Sequence, residues 1–259
     1  MTPGFFTLHA EPELRDPSLL LAFEGWNDAG EAASQAARFL ADALQTEPLA
    51  ELDPETFYDF TVNRPRVRLE DGARRIDWPT FELRHGAGCD GRPLIVGVGP
   101  EPHLRWRAFC EELAAFVRRF AVRRATLLGA FLADVVYSRP VRVTGFASEP
   151  TLAERLALEP STYEGPTGIV GVLAERLRAE GVEVVSFWAG LPHYIEASPN
   201  PRGALALLQK VVTHLGMPVD DAPLRTAAAE FEERISALVA ADPALTEYVR
   251  ALKKREFAQ

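Results

Sequence analysis

Residues 19–30 read Leu-Leu-Leu-Ala-Phe-Glu-Gly-Trp-Asn-Asp-Ala-Gly. The first five are an apolar run of the length a fully buried strand needs. Behind the polar turn, Ala33, Ala36, Ala37, Leu40 and Leu44 recur at helical spacing, so a strand feeds a helix through a short loop rich in polar groups. The same alternation repeats to about residue 216, which predicts an α/β fold. The expected architecture has three layers, α/β/α, with a mainly parallel central sheet covered by helices on both faces. In such sheets ligands bind beyond the carboxyl ends of the strands. Asp28 also has a plain structural reading, because an acidic residue three before Glu31 fits a helix cap that accepts backbone N–H bonds.

The later elements are read in the same way. Residues 49–54 form a Pro- and acid-rich connector, and β-like segments are expected at 56–62, 66–70, 74–78 and 81–84, with Asp71-Gly72 as a hairpin turn. Strands follow at 93–99, 125–132, 141–146 and 182–188. Between them, Trp106, Phe109, Cys110, Leu113, Phe116, Val117 and Phe120 mark one face of a helix. A second helix runs from Thr167, its expected N-cap, to about Glu180, and a third starts at Asn200-Pro201, a favoured N-cap and N1 pair. Past Pro223 two amphipathic helices separated by Asp242-Pro243 predict a helical hairpin. The expected division is a core domain over 1–218 and a helical extension over 219–259.

A formal net charge of −9 argues against a nucleic-acid or anionic-membrane partner, either of which calls for a positive face. No apolar run approaches the roughly 20 residues that span a bilayer, and the N-terminus lacks the pattern of a secretory signal. Cys89 and Cys110 form no CxxC and read as free thiols of a reducing, cytoplasmic compartment. The five histidines are scattered without ligand spacing, so no metal site and no cofactor are expected.

Several polar residues fall just after the expected strands. Glu24, Asp28, Glu101 and His193 are the candidates for acid–base chemistry, since a carboxylate beside a histidine can exchange protons near neutrality. Arg105 or Arg139 could hold an anionic substrate bidentately. Asp134, Tyr137, Glu164 and Tyr194 adjoin them. Each also has an ordinary role as a turn anchor, an ion-pair partner or a solvated loop residue. No Gly-x-Ser-x-Gly elbow is present, and Ser138, Ser148, Ser161, Ser186 and Ser198 lack a motif partner. Gly165-Pro-Thr-Gly168-Ile-Val-Gly171 precedes a helix and could cradle phosphate, or could allow a tight turn and close packing. Trp26, Trp106 and Trp188 suit either an interface or the sealing of the core at the strand ends.

Five motifs in order carry a resemblance. They are Glu24-Gly-Trp-Asn-Asp-Ala-Gly30, Gly99-Pro-Glu-Pro102 with Arg105-Trp106, and Gly129-Ala-Phe-Leu-Ala-Asp134 with Arg139-Pro140. Then come Tyr163-Glu-Gly-Pro-Thr-Gly-Ile-Val-Gly171 and the stretch from Trp188 through Pro192-His-Tyr194 to Pro199. Together they resemble the proteasome assembly chaperone family, in its bacterial branch related to the second chaperone subunit, often labelled ATP-grasp-like. The family-motif residues carried over are Trp26, Asn27, Arg105, Asp134, Arg139, Glu164 and Tyr194. The resemblance implies a nucleoside-phosphorylase-like α/β/α fold and a homo-oligomer, a trimer being one such state. It also implies a protein client, because eukaryotic relatives hold proteasome α-subunits during assembly. Relatives that dock on the proteasome ring commonly end in a hydrophobic residue, tyrosine and one more residue. This chain ends Glu256-Phe-Ala-Gln259, so docking of that type is not expected. The expected function is that of an assembly-chaperone-like or scaffold protein; the alternative is a small-molecule enzyme, a hydrolase or ATP-dependent ligase-like protein, using the strand-end carboxylates.

Overall fold

The computed structural model describes residues 4–158 and 163–256. Ser161 and the final Phe-Ala-Gln of the chain lie outside the described residues. The strands are β1 (Phe6–Leu8), β2 (Ser18–Glu24), β3 (Glu47–Leu52), β4 (Arg66–Glu70), β5 (Ala73–Asp77), β6 (Glu82–Ala87), β7 (Pro93–Pro100), β8 (Arg124–Ala133), β9 (Val143–Ala147) and β10 (Glu183–Pro192). The helices are α1 (Ala32–Ala43), α2 (Pro54–Phe57), α3 (Trp106–Arg119), α4 (Pro150–Arg155), α5 (Ile169–Ala179), α6 (Pro201–Leu215), α7 (Ala222–Ala241) and α8 (Pro243–Glu256).

Eight strands form one sheet in the order β1-β3-β6-β7-β2-β8-β10-β9. The four central strands β7, β2, β8 and β10 are mutually parallel, and the outer strands join antiparallel on both sides. At the centre β2 is covered on both faces, as its unbroken apolar run requires. Leu19, Leu21 and Phe23 pack with Phe109, Leu113, Leu173 and Leu177 of α3 and α5. Leu20 and Ala22 pack with Ala33, Leu40, Leu207 and Val211 of α1 and α6. The three-layer architecture follows from that alternation.

At residues 49–84 the structure departs from the expected pattern. Most of the supposed connector belongs to β3, which pairs antiparallel with β6 through an irregularity between Pro48 and Ala50. The segment expected as a strand at 56–62 instead opens with α2. Asp53 accepts a hydrogen bond from the Glu55 backbone N–H and Pro54 occupies the first turn, so the local start signal outweighs the β-branched residues that follow. The turn at Asp71-Gly72 is as expected: both residues have positive φ, 51° and 80°, the geometry of a two-residue hairpin.

The C-terminal helices lie on their own chain. Phe231, Ile235, Val239, Val249 and Leu252 form a cluster with Val136, against which Tyr137, Tyr194 and Ile195 pack. That covers the far ends of β8 and β10. Among the described residues no helix is long and apolar enough to cross a membrane.

Candidate functional site at the carboxyl edge of the sheet

The turn after β2 is built around a fully buried asparagine. The Asn27 carbonyl accepts from Ala130 N at 2.8 Å, continuing the ladder beside β8. Its Nδ2 donates to Oε1 of Glu101, also at 2.8 Å. The same carboxylate oxygen accepts from Ile169 N, the first residue of α5, at 2.7 Å. Glu101 therefore ties β2, the end of β7 and the start of α5 into one junction. An anion favours that pole of a helix, and here a side chain supplies it.

This junction explains the glycine spacing at 165–171. A Cβ on Gly168 would lie 2.1 Å from Asn27 Oδ1, and one on Gly171 would lie 2.2 Å from Thr167 Oγ1. Both glycines permit close packing, and Glu101 occupies the helix amide that a phosphate would seek. Thr167 is not the N-cap; that position is Gly168, without a side-chain cap of its own.

Asp28 does cap α1, but from further out than expected. Its Oδ1 accepts from Ala33 N at 2.7 Å and Ser34 N at 3.2 Å, while Glu31 takes the N-cap position in a left-handed conformation. Burial pushes the Asp28 carboxyl above the ordinary carboxylate range, against the lowering effect of its bonds to Ser34 and Ala33. Because the folded chain holds this proton more tightly than the unfolded one, the stability contributed falls as pH rises from the unfolded value through the folded one. Asp28→Asn keeps the acceptor and removes the titration. Urea midpoints at about pH 3, below the unfolded carboxylate value, and at about pH 8 are expected to show the wild type losing ground to Asp28→Asn as pH rises. Asp28→Ala is expected to cost about 1 kcal/mol through the lost cap. An unchanged difference between wild type and Asp28→Asn at the two pH values would refute the assignment.

The remaining carboxylate of the edge, Glu24, forms an ion pair with Arg38 of α1. His193 is drawn elsewhere. Its Nδ1 lies 3.1 Å from Asp134 Oδ1, and Tyr248 of α8 closes the group with its hydroxyl 3.5 Å from His193 Nε2 and 3.4 Å from Asp134 Oδ1. Tyr194 anchors the turn, accepting from Tyr137 N at 2.9 Å and donating to the Val135 carbonyl at 3.0 Å. Tyr248 joins this group from a helix more than 50 residues further along the chain, so no local sequence signal marks it.

Glu24, Asp28, Glu101 and His193 thus each have a separate local partner. An open cleft of about 600 Å³ between α1 and the β4–β5 ribbon is lined by Glu24 but by none of the other three. A smaller one of about 300 Å³ beneath α7 is lined by Asp134 and Arg139 and by none of the four. Arg105, in a left-handed conformation just ahead of α3, lies over the ring of Phe5 at 5.3 Å. The backbone carbonyl of exposed Arg139 accepts from Arg202 at 2.7 Å, and Glu164 is exposed. Among the described residues no group of three or more His, Cys, Asp or Glu side chains could hold a metal ion.

The three tryptophans divide. Trp188 is half-buried over Gly129, where a Cβ would stand 2.4 Å from its ring, and the Trp106 indole N–H donates to the Pro102 carbonyl. Trp26 is 63% exposed at the tip of the central turn. Leu104, Leu132 and Tyr163, from the loops after β7 and before α5 and from the end of β8, are exposed as well.

The sequence profile of the PAC2 family matches residues 22–239. A PAC2 family protein from Streptomyces avermitilis is 43% identical, with a TM-score of 0.83 over 90% of this chain and 100% of that one. A Mycobacterium tuberculosis protein described as a proteasome-assembly chaperone homologue is 41% identical, with a TM-score of 0.82 over 90% of this chain and 99% of that one. A second M. tuberculosis protein, of unknown function, is 30% identical with a TM-score of 0.90, over 100% of this chain and 92% of that one. The sequence matches no curated protein. With the fold, the motif residues and these likenesses in agreement, the chain belongs to the PAC2 family.

Proposed function

We propose that this chain is an assembly-chaperone-like or scaffold protein that holds a protein client on the carboxyl edge of its sheet. One observation carries the reading: the edge carboxylates Glu24, Asp28 and Glu101 are engaged in an ion pair and two helix caps, while Trp26 between them stands exposed. An exposed tryptophan on a rigid turn is the side chain that most often anchors a protein contact. The relative described as a proteasome-assembly chaperone homologue points to proteasome-like subunits as the clients to test first. The chain works in the cytosol, in keeping with an exposed free Cys89 and a buried Cys110, and it associates with itself, a trimer being the form to look for. The enzyme alternative has its best support in the His193–Asp134 pair, but that pair stands on an exposed face and not in an enclosed cleft.

The test is gentle affinity capture of the tagged chain from its native cell, beside a Trp26→Asp variant. Proteasome-like subunits are expected with the wild type, and their recovery is expected to fall about tenfold or more in the variant, as for loss of an aromatic anchor. Recovery of the chain alone would overturn the client reading.

A further inference from the structure

Every residue of β4 and β5 is exposed. A two-stranded ribbon has too little apolar contact to hold its shape well in water, so this one needs a partner surface. The register pairs Val67 with Ile76 and Leu69 with Arg74, which places Val67, Leu69 and Ile76 on one face. The opposite face is polar and internally paired, with Arg68–Asp77 at 3.1 Å and Arg75–Glu70 at 3.0 Å.

A ribbon serving its own chain turns its apolar face inward. Here the direction is reversed. The ribbon residues that line the cleft against the chain's own body are Arg66 and Asp77, both from the polar face. Val67, Leu69 and Ile76 remain 54%, 73% and 56% exposed. Charge indicates what covers them. Residues 64–77 hold five arginines and three acids, a net +2 within a chain of net −9. The ribbon is therefore complementary to the rest of its own sequence, yet its apolar face is directed away from its own body.

We infer that the β4–β5 ribbon is an arm that lays its apolar face on the acidic body of a second copy of this chain. The inference rests on the self-association proposed above and names the element responsible for it. Arg74, beside Leu69 on the apolar face, supplies a cation at the contact. An arm-on-body contact is heterologous, so it builds a ring when the rotation between copies closes.

The full chain tests this by light scattering behind size exclusion, across a range of salt. The wild type is expected at a multiple of its 28.5 kDa mass, shifting toward a single copy as salt rises, since part of the attraction is screened. Val67→Asp/Leu69→Asp/Ile76→Asp is expected at 28.5 kDa with an unchanged circular dichroism spectrum, because no core residue is altered. Arg64→Glu/Arg66→Glu/Arg74→Glu is expected to give the same loss while leaving Val67, Leu69 and Ile76 in place. A photo-crosslinker on Leu69→Cys, in a Cys89→Ser background, is expected to join two copies through an acid-bearing surface. A wild type that stays at one copy overturns self-association itself. An oligomer that survives both triple variants overturns the arm alone. A monomeric wild type whose aspartate variant loses captured proteasome-like subunits would reassign the ribbon to a client.

Discussion

Replacing Phe109 by alanine is expected to lower stability by about 3–5 kcal/mol. Phe109 is fully buried where α3 meets the sheet. Its ring meets those of Phe23, Phe57 and Phe81 edge-on, with centroids 5.8, 5.8 and 5.6 Å away. Phe23 and Phe81 stack on each other at 4.9 Å, so the four rings lock β2, α2 and the start of β6 to one helix. Truncation removes the burial of the ring and leaves a cavity that these rigid neighbours cannot fill. In a thermal melt the loss corresponds to a fall of roughly 10 °C for a domain of this size. Phe109→Leu is expected to lose roughly half as much, because the aliphatic chain refills part of the space. A fall of less than about 1 kcal/mol for the alanine variant would mean that α3 is not seated as described. The effect reaches the client edge too, since α3 begins directly after the loop that carries Glu101 and Leu104.

The parts of this fold legible from sequence were those whose partners sit nearby in the chain or whose burial is complete. The five apolar residues at 19–23 announce a central strand because both faces are covered, and α3 is plain from the spacing of Trp106 through Phe120. Asn200 is a cap in the structure as in the sequence, its side chain accepting from Gly203 N at 3.0 Å. By contrast β3, one strand in from the edge strand β1, carries Pro48 and pairs with β6 through a bulge, so its strand character comes from β1 and β6 and not from its own residues. The site divides along the same line. Asp28 reads as a cap from its distance to α1, whereas the bond between Asn27 and Glu101 joins residues 74 apart and exists only because β2 and β7 run in register, with Glu24 beside Pro100. The alternation in the β4–β5 ribbon is visible in the sequence, but which face turns outward is decided by how its base sits over the cleft.

Glu101→Ala is expected to cost about 3 kcal/mol or more, because it withdraws the acceptor from two donors at once and bonds to a charged group are each worth about 1.5–3 kcal/mol. One donor is the side-chain amide of Asn27, which is fully buried and has no route to water. The other is the Ile169 N–H, which opens α5 with no other cap from its own N-cap residue. Glu101→Gln is expected to recover part of the loss, since an amide oxygen can still accept but brings no charge to the positive pole of the helix. Asn27→Ala combined with Glu101→Ala is expected to cost less than the two single changes added together, because the second change removes a donor already stranded by the first. Urea midpoints for the four chains provide the cycle, and amide exchange at the start of α5 is expected to speed up in Glu101→Ala. Midpoints that leave Glu101→Ala level with the wild type would sink the junction and free the carboxylate for chemistry. If the midpoints fall as expected, the carboxylate is fixed by two short bonds into the frame of the fold. A group so engaged holds the Trp26 turn against the start of α5.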